Sequence, residues 1–198
     1  MTFIETVPED QATGATAELY ESDREAFGYL PNFSRGFSLR PSVYGAWRQL
    51  NGAIKQEMDL RRYELATVAA ARRLRSSYCV LAHGSVLADK FLGPDAVRTL
   101  VADHRAAELT DAEVAVMDLA DKVAGDATTV EQADIDRLRA AGLSDGEIVD
   151  VVLAAAARCF FSKTLDALGI APDAKFAALD PAFRDALTVG RPISAGSR

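Results

Sequence analysis

Two apolar runs at helical spacing, joined by a break, constrain this chain more than any other feature. In the stretch Leu60 to Phe91, LRRYELATVAAARRLRSSYCVLAHGSVLADKF, Leu60, Leu65, Val68, Ala69 and Leu74 recur at spacings near three to four. Val80, His83, Val86 and Leu87 do the same. Each set makes a face that can be buried. The pattern slips at Arg75-Ser76-Ser77, so the stretch reads as a helical hairpin. No segment sustains period-two alternation, and no strand is proposed. The expected fold class is all-α.

The hairpin also concentrates the chain's reactive side chains. It holds one of the two cysteines, one of the two histidines, and a carboxylate inside an apolar run. Ser76 is placed to cap the second helix, its hydroxyl accepting from a backbone N–H two or three residues on. Cys79 then falls in the first turn, where unpaired N–H groups and the macrodipole favour a thiolate. His83 lies four residues later on the same face. Along one straight helix Glu64 would stand about 22 Å from Cys79, but an antiparallel return brings His83 back towards Thr67 and Glu64. Taken singly, each residue has a duller reading, an inert core cysteine or a satisfied core histidine. Their joint placement suggests a thiol, an imidazole and a carboxylate between two helices.

Glu64, then Ser76-Ser77-Tyr78-Cys79, then His83 resemble the core motif of the AhpD-like alkylhydroperoxidases of the carboxymuconolactone decarboxylase superfamily. That motif has a glutamate, a Cys-x-x-Cys pair twelve residues on, and a histidine four residues after the second cysteine. The run Tyr78-Cys79-Val80-Leu81-Ala82-His83 is most like a branch called peroxidase-related enzymes. So is the C-terminal stretch with Phe176, Leu179, Phe183, Ala186-Leu187 and Gly190-Arg191-Pro192-Ile193. The resemblance implies an AhpD-like helical bundle in which Cys79 attacks peroxide, with His83 and Glu64 as its relay. Two positions depart from the pattern. Ser76 stands where the family has its resolving cysteine, and a hydroxyl cannot form a disulfide, so an oxidised Cys79 would need an outside thiol. Tyr78 stands where the family often has a histidine, and its phenol is a poor base at neutral pH.

Whole-chain properties narrow the function. A net charge of −7 argues against general nucleic-acid binding. The basic residues Arg61, Arg62, Arg72, Arg73 and Arg75 fall on more than one helix face and read as solvated or subunit-contact charges. Arg75, expected beside the thiol, is the one that could stabilise a thiolate or an anionic substrate. The longest apolar run, near Ile148 to Ala157, is too short to span a bilayer and is followed at once by Arg158. The start MTFIETVPED has no basic region or long apolar run, so no secretory signal is expected. With two cysteines and no framework spacing, the expected compartment is the cytoplasm. Without CxxC, HxxxH, GxGxxG or a Walker loop, no cofactor and no metal are called for.

In chain order, residues 1 to 10 read as an extended arm and Ala12 to Phe27 as a helix ended by Gly28. Pro41 opens a helix with Val43, Tyr44, Trp47, Leu50 and Ile54 on its apolar side. Tyr44 and Trp47 read as core or subunit-contact residues, though the resemblance also allows them to wall a pocket. Asp59 caps the central hairpin. A short helix follows Gly93-Pro94 through Val101, and His104 sits in a charged loop with no role assigned. Thr110 to Glu113 and Ser144 to Glu147 are capping-box starts, the first of a helix to about Ala124 and the second of a long apolar helix. Val130 to Ala140 reads as another helix.

An 83-residue shift aligns Leu60 with Leu143, Glu64 with Glu147, Val68 with Val151, Ala71 with Ala154 and Arg75 with Arg158. Ser76 then meets Cys159, Cys79 meets Ser162, and His83 meets Asp166. The chain thus reads as one domain, 1–198, with an active hairpin at 60–91 and a degenerate second copy at 143–170. Cys159 reads as a buried small residue rather than a resolving thiol. The leading functional expectation is a cofactor-free, thiol-dependent hydroperoxide reductase using Cys79, His83 and Glu64, with Tyr78 and Ser76 beside them. Its partners would be a small hydroperoxide or other small organic substrate and an external thiol, with no nucleic acid and no membrane. Two alternatives stay open: a lyase or isomerase with His83 and Glu64 as acid and base, and a non-catalytic oligomeric stress-related protein. The family resemblance further implies a homo-oligomer, a dimer, trimer or hexamer.

Overall fold

The computed structural model describes residues 2–195, which form ten α-helices and no strand. They are α1 (Gly14–Phe27), α2 (Asn32–Gly36), α3 (Pro41–Glu57), α4 (Leu60–Arg73) and α5 (Ser77–Leu87). Then follow α6 (Pro94–Ala102), α7 (Asp111–Asp126), α8 (Gln132–Ala140), α9 (Asp145–Ala167) and α10 (Pro181–Leu187). The expected capping signals act locally. Asp59 accepts from the Arg62 N–H, and Thr110 with Glu113 and Ser144 with Glu147 form reciprocal boxes. Gly28 ends α1 in the left-handed conformation, at φ 76°.

Helix α4 is the centre of the bundle and packs on α5, α7 and α9. Every residue from Tyr63 to Ala71 is buried. Four alanines in that run let neighbouring helices approach closely, while Leu65 and Val68 each contribute about 1.5–3 kcal/mol by leaving water. The same burial carries Glu64 into the interior, where a carboxylate must find a partner.

The chain breaks between α4 and α5 at Arg75, whose φ is 57°. The break is held from outside by the C-terminal segment. The Gly190 N–H donates to Ser77 Oγ at 2.7 Å, and a β-carbon at Gly190 would stand 1.9 Å from the Arg75 carbonyl oxygen. Only glycine fits there.

Several expectations need correction. Ser76 occupies the N-cap position of α5 but does not cap with its side chain; the buried hydroxyl lies near the Asp166 carboxylate, beyond hydrogen-bond reach. Val43 and Leu50 are 43% and 53% exposed, because α3 buries only the strip with Tyr44 and Ile54. His104 is 5% exposed in a 3-10 turn, with Nε2 2.7 Å from Asp118. The hairpin arginines make contacts within the chain: Arg61 pairs with Glu113, Arg62 with Glu147, and Arg72 with Asp121. The N-terminal arm bends at Phe3 and Ile4 and closes in a 3-10 turn at Glu9–Gln11 rather than running extended to residue 10; the Val7 N–H on Ser38 and the Tyr20 hydroxyl on Val7 tie it to the bundle, and Met1 lies outside the described residues. No helix among the described residues is long and apolar enough to cross a membrane.

Candidate functional site

The antiparallel return of α5 along α4 brings His83 Nδ1 to 2.5 Å from Glu64 Oε2. Burial and the Arg158 cation push His83 below the ordinary imidazole value, against the opposing pull of Glu64. Burial alone would raise Glu64, but His83, Lys55 and Arg158 outweigh it and hold the carboxyl below its usual range. At neutral pH the pair is therefore a carboxylate and a neutral imidazole. Its Nδ1–H donates to Glu64, and Nε2 is left with a free lone pair.

Cys79 is 2% exposed, in the first turn of α5. Two groups from α9 donate to its sulfur: the Ser162 hydroxyl at 3.1 Å and the Arg158 guanidinium at 3.5 Å. Arg158 is itself only 3% exposed, and no carboxylate pairs with it among the described residues. Its other Nη donates to the Tyr63 hydroxyl at 3.4 Å. A buried guanidinium stays charged and complements a negative sulfur.

Cys79, His83, Glu64 and Arg158 line one cavity of about 560 Å³. Its walls are aromatic. Trp47 stacks on Phe161 with ring centroids 4.2 Å apart, and Phe33 meets Tyr78 and Phe161 edge-on or tilted. Tyr44 and Trp47, read as core or possible pocket walls, line this space. Tyr78 lines it too, but its hydroxyl donates to Asp173 at 2.5 Å. Asp173 also accepts from the Tyr29 hydroxyl and the Asn32 N–H, and burial beside that carboxylate pushes the Tyr78 phenol far above its ordinary value.

An all-α bundle with a Glu–His pair and a buried cysteine on a short helix can now be compared with solved structures. A peroxidase-related protein with an alkylhydroperoxidase AhpD core, from Ralstonia eutropha, superposes with a TM-score of 0.78 at 19% identity, over 96% of this chain and 98% of that one. The chain has an AhpD-like fold. A peroxidase-related protein from Silicibacter sp. gives 0.73 at 21% identity, over 89% and 91% of the two chains. The debrominase Bmp8 in complex with 2,3,4-tribromopyrrole gives 0.69 at 14%, over 92% and 94%. No protein-family model and no curated protein sequence matches the chain.

On this AhpD-like frame, the residues expected at the site separate into two groups. Cys79, His83, Glu64 and Tyr78 share the cavity, whereas Ser76 does not line it. Both cysteines are free; Cys159, expected as a buried small residue, is only partly buried, and desolvation still pushes its thiol up. Arg75, expected beside the sulfur, instead points outward and donates to the Val189 carbonyl at 3.4 Å. The left-handed turn at Arg75 rotates it off the buried face. The cation at the sulfur is Arg158, the residue aligned with Arg75 in the second stretch. An arginine after an apolar run reads as the end of a core segment, which is why it was missed. Cys79 touches Ser162, the residue that the 83-residue shift sets opposite it.

Proposed function

We propose that the chain is a thiol-dependent hydroperoxide reductase acting through Cys79. The observation that carries this reading is a sulfur with a hydroxyl and a buried cation donating to it, in one cavity with a Glu64–His83 pair whose imidazole is neutral. Fold likeness alone assigns no activity. In this scheme His83 takes the thiol proton on Nε2. The thiolate attacks the terminal peroxide oxygen, an S–O bond forms as the O–O bond breaks, and the departing alkoxide recovers the proton from His83. Arg158 and Ser162 favour charge on the sulfur before attack.

Cys79 is left as a sulfenic acid. Since Ser76 is a serine, reduction falls to an external low-molecular-weight thiol, which forms a mixed disulfide with loss of water. A second such thiol releases Cys79 and leaves as a disulfide with the first. Cys79→Ala should abolish hydroperoxide consumption in the presence of an external thiol, measured by loss of peroxide; unchanged turnover rejects the scheme.

One observation favours a second reading. The groups donating to the sulfur are the Ser162 hydroxyl and the Arg158 guanidinium, neither of which can form a disulfide with it. Acid–base chemistry by His83 and Glu64, as in a lyase or isomerase, needs only the pair. In that case Cys79→Ala would keep activity on a small organic acid or lactone, and His83→Gln would lose it.

A further inference from the structure

We propose that the Cys79 cavity takes organic anions, namely small monocarboxylates with an apolar body. The inference rests on the reading of this cavity as a substrate site, and deepens it. Glu64 is occupied by His83, and Asp173 by Tyr29, Tyr78 and the Asn32 N–H. Among the described residues, the buried side-chain atoms of the lining without a hydrogen-bond partner are Ser85 Oγ, which can donate or accept, and two nitrogens, Arg158 Nε and Trp47 Nε1. Both nitrogens are donors with no lone pair to offer, so a molecule that satisfies them must bring an acceptor. No carboxylate forms an ion pair with the Arg158 guanidinium among the described residues, and the nearby Glu64 is bonded to His83, so a negatively charged acceptor fits it best.

The rim of the cavity is cationic. Lys55 lies over the Tyr63 ring at 5.3 Å and Lys175 over the Tyr29 ring at 4.5 Å. Both line the cavity, both are exposed, and neither is in an ion pair among the described residues. Asp89 is the exposed carboxylate at the same rim. In a chain of net charge −7, a cavity entered past two unpaired lysines and floored by a buried arginine draws anions locally. The aromatic walls take up the apolar body, which excludes a bare inorganic anion as the best fit. On the peroxidase reading, the preferred substrate is then a hydroperoxide that also bears a carboxylate.

Trp47, the single tryptophan, lines the cavity and supplies the readout. Benzoate and octanoate, compared with benzamide and octanol, are titrated against the whole protein by tryptophan fluorescence. The two acids should bind saturably and at least about tenfold more tightly than their neutral partners, the size expected for charge-assisted hydrogen bonds. Arg158→Met should remove that preference, and Lys55→Gln with Lys175→Gln should weaken the acids alone. Acid binding should also weaken as salt is added. Equal affinity for acids and neutral analogues, or acid affinity indifferent to salt, overturns the proposal. That holds even if Arg158→Met fails to fold, because both of those tests use the unaltered chain. Cys79→Ser turns over no peroxide on the peroxidase reading but should still bind the acids. Loss of that reading and loss of this inference are therefore separable.

Discussion

Residues 60–87 and 143–170 align 83 positions apart, yet the chain bends the first and leaves the second straight. In the first, Arg75 turns left-handed and the helix restarts at Ser77; in the second, Asp145–Ala167 runs unbroken through the aligned Arg158. The consequence is a division of labour between matching residues. Arg75 is thrown outward and Arg158 is held inward against the sulfur. Glu64 is buried on His83. Glu147 caps α9 and pairs with Arg62, contacts that lower its carboxyl to about 2. A bent stretch folds its own thiol, imidazole and carboxylate together, and a straight one delivers a charge from outside. The two meet in one cavity because α9 packs along α4.

Substitutions at matched positions are the means to break this comparison. The largest difference is expected between the glutamates. Glu64→Gln deprives His83 of its carboxylate and should slow peroxide turnover by about a hundredfold or more, while Glu147→Gln should leave turnover unchanged and lower only the melting temperature. The arginines come next. Arg158→Met should slow alkylation of Cys79 at neutral pH by about tenfold, read by intact-mass kinetics, and Arg75→Met should change it by less than about twofold. Loss of a buried cation with no carboxylate partner should cost Arg158→Met less than about 1 kcal/mol of stability, so the two effects separate.

Smaller effects test the break itself and the state of the pair. Gly190→Ala forces a methyl onto the Arg75 carbonyl and should destabilise the fold by about 1–3 kcal/mol in urea unfolding. Arg75→Gly relieves the positive φ and should add about 0.5–1 kcal/mol, whereas glycine at mid-helix position 158 should not stabilise. His83 and Glu64 are both lowered in the folded state. Their contribution to stability is therefore present at neutral pH. It is lost on acidification, beginning as pH falls through the unfolded histidine value of about 6.5 and then through the glutamate value of about 4.3. For the same reason, the acid limb of turnover should lie below about pH 6.5, and His83→Gln should erase it.

What could be read from the residues follows from the range of the interactions. Helix starts at Asp59, Thr110 and Ser144 depend on groups three residues apart, and the structure has them where the caps stand. The Cys79–His83 relation is one helical turn, and Glu64 needed only the assumption of an antiparallel return. Arg158, Ser162 and Asp173 lie 79, 83 and 95 residues from the hairpin groups they touch, and no local pattern announces them. Ser76 misled because a serine at an N-cap is a sound local guess, yet packing against α9 turned its hydroxyl away. His104 misled in the same way, since its burial depends on Asp118 in the next helix.

The most direct test is to trap the oxidised sulfur. The Cys159→Ser protein, treated with one equivalent of an organic hydroperoxide and then with a sulfenic-acid reagent such as dimedone, should carry the adduct on Cys79, located by peptide mass spectrometry. The same treatment of the protein with Arg158→Met added should give the adduct far more slowly. A Cys79 that remains an unmodified thiol while peroxide is consumed, or that forms the adduct equally fast without Arg158, would contradict the account.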